Sequence, residues 1–179
     1  MKLRATLILL ALLPANAADL VLHDAQVQVF FSPHGGCTEA VVSTIAGARK
    51  TVLVQAYSFT SAPIAGALVA AHTRGVDVRI ILDKSQEKDR RSDLAMVSAA
   101  GIPVWIDTVR GIAHSKVMVI DGGTVITGSF NFTAAAEKSN AENLLVIHDP
   151  GLAALYIANW QDRLTHSEPA TANTPSEKP

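Results

Sequence analysis

The run His114-Ser115-Lys116-Val117-Met118-Val119-Ile120-Asp121-Gly122-Gly123-Thr124-Val125-Ile126-Thr127-Gly128-Ser129-Phe130-Asn131 decides how this chain folds. Two β-branched, apolar stretches, 114–121 and 124–128, flank Gly122-Gly123, a pair that adopts positive φ at no steric cost, so the run reads as two strands joined by a hairpin. Upstream, the spacing of apolar residues predicts strand 27–31, helix 37–48, strand 51–57, helix 64–73, strand 78–83, helix 89–100 and strand 103–106, with Gly75 and Gly101 as helix stops. Downstream it predicts strand 142–148 and, after Asp149-Pro150-Gly151, a helix over 152–165 whose Leu155, Tyr156 and Trp160 form a core-facing stripe. A βαβα rhythm closed by a hairpin predicts an α/β fold: one domain, with a mixed, mostly parallel sheet flanked by helices.

The two ends read differently. Lys2 and Arg4 precede an apolar run from Ala5 to Leu13, then Pro14 and the small-x-small exit Ala15-Asn16-Ala17. This is the pattern of a signal peptide, 1–17, cleaved after Ala17, and it predicts a periplasmic or secreted protein. The run is too short to serve as a stable membrane anchor. Residues 18–166 form the expected folded domain, and 167–179, rich in Pro, Ser, Thr and Glu, the expected disordered tail. Without the leader, 13 basic residues face 16 acidic ones, so a polyanion must be held by local groups and not by the global field. The lone cysteine, Cys37, has no intrachain partner and is expected to be buried at a helix start.

On a strand, His114 and Lys116 project from one face. If Gly122-Gly123 is a two-residue turn, Asp121 faces Thr124, Lys116 faces Ser129 and His114 faces Asn131. An imidazole, an ammonium, a hydroxyl and a carboxamide then converge, which is a cradle for an anion such as a phosphodiester. Asp121 sits beside the turn, away from this patch, and reads as structural, as does Gly128.

The fixed positions spell H-x-K-x4-D-x6-G-S-x-N, and this pattern resembles the signature of the phospholipase D superfamily. Chance would produce it in a chain of this length on the order of once in a million. Further similarity to the small, single-signature bacterial Nuc-type endonucleases runs through Phe31-Ser32-Pro33, Gln55 to Thr60, Arg74 to Val78 and Asn140 to Leu145. The resemblance implies a metal-independent, cofactor-free phosphodiesterase in which His114 attacks phosphorus to give a phosphohistidine that water cleaves. Lys116, Ser129 and Asn131 would stabilise the transition state, and Glu142 would orient the imidazole. The superfamily uses a second histidine from a second signature as general acid. Only one copy stands here, so the resemblance implies a homodimer with a shared site. His34, Tyr57 and Ser58, near predicted strand ends, are candidates for the substrate groove.

The favoured substrate is nucleic acid, DNA or RNA. A phospholipase D acting on phosphatidylcholine-type lipids is the alternative within the superfamily, and a non-catalytic nucleic-acid binding module the alternative of another class. No cluster of carboxylates or histidines suggests a metal site; Asp89 and Asp93 share a face of the predicted helix but read as solvated.

Overall fold

The structure, a computed structural model, describes residues 18–22 and 24–171. The leader and residues 172–179 of the expected tail lie outside the described residues. Among the described residues ten strands and five α-helices run in the order β1 (Gln26–Ser32), α1 (Cys37–Ala46), β2 (Thr51–Ala56), β3 (Phe59–Thr60), α2 (Ala62–Thr73), β4 (Asp77–Asp83), α3 (Leu94–Ala99), β5 (Val104–Asp107), β6 (Lys116–Ile120), β7 (Thr124–Gly128), β8 (Phe132–Thr133), α4 (Ala134–Lys138), β9 (Glu142–His148), α5 (Pro150–Thr165) and β10 (Ser167–Pro169).

Eight strands form one sheet in the order β1-β9-β7-β6-β2-β4-β5-β10. It is mixed, as expected, but not mostly parallel: only the β2–β4 and β4–β5 pairs are parallel. The parallel part is confined to the segment built by βαβ crossovers. The β6–β7 hairpin and the return strand β9, which inserts between β7 and β1, make the rest antiparallel.

Alternation along the strands splits the core. Val54, Ile80, Met118, Ile126 and Val146 face α1, α2 and α3, where Val41, Ile64 and Leu68 close the larger cluster. Val117, Val119 and Val125 face the other way and pack with Ala153 of α5. Trp160 of α5, 3% exposed, donates its indole N–H to the Val54 carbonyl at 3.0 Å, which ties the helix to the sheet centre. Cys37 is fully buried at the first position of α1.

Three expectations about local structure need correction. The expected helix 89–100 exists only as Leu94–Ala99, because the Asp89 carboxylate accepts from the Arg91 N–H and guanidinium and holds an Asx turn in place of the first helical turns. Asp93, read as solvated, has a carboxylate oxygen buried without a partner, and burial raises its pKa. The tail does not begin at Ser167: Ser167–Pro169 form the edge strand β10, antiparallel to β5, because the Thr108 N–H and hydroxyl both bond the His166 carbonyl and lead the chain back along the sheet.

The hairpin register differs too. Ile120, not Asp121, faces Thr124, and the Gly123 N–H closes the turn on the Ile120 carbonyl. Asp121 leaves the strand with φ 52° because its carboxylate accepts from the N–H groups of Arg49, Lys50 and Thr51 at 2.7–2.9 Å, tying the hairpin tip to the start of β2. Burial alone would raise the Asp121 pKa, but these N–H groups and Lys50 hold it below the ordinary carboxylate value. Asp121→Ala is expected to cost about 1–2 kcal/mol at neutral pH, a figure reduced for the exposure of the group. A depressed carboxyl pKa stabilises the fold above the unfolded value and ceases to do so as pH falls through the folded one. Chemical denaturation of both proteins should therefore show the gap closing as pH drops below about 4; a gap independent of pH would assign the loss to backbone geometry alone.

Candidate active site

The register difference would by itself turn Ser129 to the α5 side of the sheet, since a slip of one residue exchanges the faces. A bulge restores it. The N–H groups of Ser129 and Phe130 both donate to the Asn143 carbonyl, at 3.1 and 3.2 Å, so two residues of one chain segment oppose one of β9. The bulge requires Gly128: its φ is 148°, and a Cβ there would stand 2.3 Å from the Asn143 carbonyl oxygen.

As a result His114, Lys116, Gly128, Ser129, Asn131 and Glu142 line one cavity of about 440 Å³ at the rim of the sheet. His114 lies just before β6, not on it. Its approach is fixed by Tyr57, whose N–H bonds the Ser115 carbonyl at 2.9 Å and whose ring lies 4.5 Å, centroid to centroid, from the imidazole at 56°. The two-stranded ribbon β3–β8 pairs Phe59 with Phe132, and so brings the segments carrying Tyr57 and Asn131 to the same rim.

Lys116 is only 7% exposed. One of its three donors goes to the His114 carbonyl at 2.8 Å and its ammonium stands 5.0 Å from the Tyr57 ring centroid, which leaves two donors for an anion. Burial lowers its pKa and the nearby Glu142 partly offsets this. Loss of the ammonium removes the cradle's charge, so kcat/KM should fall on the alkaline side with a midpoint below the ordinary lysine value of about 10.4. A pH–rate profile flat up to that value would contradict the role.

Two expected roles change. Ser129 was expected to donate to the anion, but its hydroxyl donates to Glu142 at 2.6 Å and accepts from the Asn143 N–H and carboxamide at 3.1 and 3.3 Å. Its proton is already committed. Glu142 was expected to accept from His114; its oxygens accept instead from Ser129 and, at 3.0 Å, from Asn140, and the His114 ring makes no hydrogen bond to any described residue. The reason is the tight β7–β9 pairing, which sets Glu142 beside the bulge. Asn131 keeps a carboxamide oxygen buried without a partner, and its Nδ2 bonds no described residue.

Of the groove candidates, Tyr57 joins the site. His34 does not: it lines a separate cavity of about 520 Å³ with Glu137, and Ser58 lines neither. Glu137 was not foreseen. Its two oxygens accept from the Gly36 and Thr38 N–H groups and cap α1. Nor were Asn140 and Asn143, although both stand in the segment that carries the resemblance. Among the described residues no three His, Cys, Asp or Glu side chains group as metal ligands.

The family model described as cardiolipin synthase, PLD-like domain, matches residues 41–164. The chain belongs to the phospholipase D superfamily and is a phosphodiesterase of that superfamily. Within it, a phospholipase D of Rickettsia conorii is 48% identical over 142 residues, covering 79% of this chain and 71% of the relative. Among solved structures, Nuc of Salmonella typhimurium, a phospholipase D family member, matches with a TM-score of 0.78 and 43% identity over 82% of this chain and 99% of that one. NucT of Helicobacter pylori matches with a TM-score of 0.76 and 25% identity, over 82% of this chain and all of that one.

Proposed function

We propose that this phosphodiesterase is an exported endonuclease that hydrolyses DNA or RNA through a phosphohistidine at His114. One observation carries the reading: a nearly buried ammonium with two free donors, Lys116, and an unpartnered carboxamide, Asn131, share a cavity with a solvent-accessible imidazole whose ring makes no hydrogen bond to any described residue. The nucleophilic nitrogen attacks phosphorus in line. Charge gathering on the non-bridging oxygens is met by Lys116 and Asn131, and water then displaces the histidine. Ser129, Asn140 and Asn143 hold Glu142 and the bulge in place.

One imidazole does not suffice for both the nucleophile and the acid that protonates the leaving oxygen. A homodimer with a twofold axis at this rim supplies the second. Glu142, with lone pairs to spare and no bond to its own His114, is then the acceptor for an imidazole brought to it by the partner. Likeness to Nuc and NucT over nearly their full lengths supports nucleic acid as substrate. The identity to a phospholipase D supports lipid as the second reading. Incubation of purified protein with plasmid DNA, RNA and phosphatidylcholine vesicles in excess chelator tests both: nicking is expected to persist, whereas phosphatidic acid release without nicking would select the lipid reading. Export is tested by the N-terminus of the mature protein, expected at Ala18 in the periplasm or medium.

A further inference from the structure

His114 lines a second cavity, on the α5 side of the sheet, that the phosphoryl chemistry leaves unused. It measures about 200 Å³, and Gln55, Ile81, Asp107, Ile112 and Arg163 contribute to its walls. That is below the roughly 300–1,000 Å³ of clefts for drug-sized ligands, and suits a single ring system. Because His114 borders both cavities, a group attached to a phosphorus poised for attack by that residue is within reach of this one.

Its chemistry is specific. Gln55 is the one amide in β2, set between Val54 and Ala56, and is only 5% exposed. Its carboxamide nitrogen makes one long bond, 3.4 Å, to Asn159, and its oxygen bonds no described residue. That oxygen is not among the buried atoms left without a partner, so it opens onto the cavity, where a ligand can take the place of water on it. Asp107, 2% exposed, does not make the cavity anionic, since Arg163 bonds both its oxygens at 2.6 and 2.9 Å. No Phe, Tyr or Trp lines the walls, so a quaternary ammonium headgroup would find neither a net negative charge nor an aromatic cage. What remains are the apolar side chains of Ile81, Val109 and Ile112 and the donor and acceptor of Gln55, which suit the faces and the edge of a flat heterocycle. The wall is fixed in advance: Lys84 binds the Val109 and Arg110 carbonyls at 2.9 and 3.1 Å, and Asp83 accepts from the Ala113 N–H at 2.7 Å.

We propose that this cavity binds the nucleobase of the nucleotide next to the scissile phosphate, with Gln55 bonding its edge; the inference rests on the nuclease reading. A base reaches it only when unstacked, so single-stranded or frayed substrates are favoured over intact duplex.

The test uses short single-stranded oligonucleotides with one cleavable phosphodiester, carrying normal nucleotides or an abasic residue on either side of it. The full-length enzyme is expected to prefer the normal substrate by about tenfold in kcat/KM on one side. Gln55→Leu, close in volume, should bring that ratio near one, and Ile112→Trp, at an exposed position that narrows the cavity without burdening the fold, should lower it as well. A ratio near one in the unaltered enzyme, or a ratio that neither variant moves, would overturn the subsite. Hydrolysis of phosphatidylcholine with every oligonucleotide left intact would overturn the nuclease reading and the subsite together.

Discussion

His114→Ala is expected to lower kcat/KM for phosphodiester hydrolysis by roughly 10⁵-fold or more, the scale of removing a nucleophile from a covalent mechanism. His114 is exposed at the entry to β6 and its ring bonds no other described residue, so the fold should not register the change. An unaltered melting temperature is the control. In the dimer the same substitution removes both nucleophile and acid. A preparation in which altered and unaltered chains are mixed through unfolding and refolding should then be less active than its content of unaltered chains, because mixed pairs are incomplete. Activity strictly proportional to unaltered chains would show that each chain works alone and would overturn the shared site. Retention of a tenth or more of the activity in His114→Ala would overturn the nucleophile itself.

Lys116→Met should reduce kcat by about 10³-fold with a smaller change in KM, since an ammonium aimed at developing charge acts mainly in the transition state. Stability should move the other way. Burial depresses the pKa of Lys116, which means that the fold holds the charged form at a cost. A methionine of similar length removes that cost, so the melting temperature should hold or rise. Catalytic loss together with a large fall in melting temperature would identify Lys116 as a structural ion and not a catalytic one. The combination expected here, less active and no less stable, is a signature that a packing residue does not give.

Much of this was legible in the chain. The alternation of apolar runs placed β1, β2, β4, β7 and β9 and helices α1, α2 and α5 close to their bounds, because each buries a continuous face whose period shows in sequence. Short elements were not legible. β3 and β8 have two residues each, too few for an alternation, and α4 has five, little more than one helical turn; they exist because Phe59, Phe130 and Phe132 are drawn into the core. Gln55 carried a signal that went unread as chemistry: a lone amide inside a buried apolar strand.

The residue types at the fixed spacing of 114–131 determined the class of chemistry, since His, Lys, Ser and Asn in that order limit what a strand rim can hold. Which groups touch was decided only in three dimensions. Asp121 left its strand because three N–H groups from the start of β2, some seventy residues earlier, compete for its carboxylate. That one-residue slip was undone by a bulge against Asn143, and the same bulge turned the Ser129 proton toward Glu142. Local spacing fixes the inventory and the faces of regular strands. Turns and bulges are settled by hydrogen bonds between segments distant in the chain, which no local pattern records.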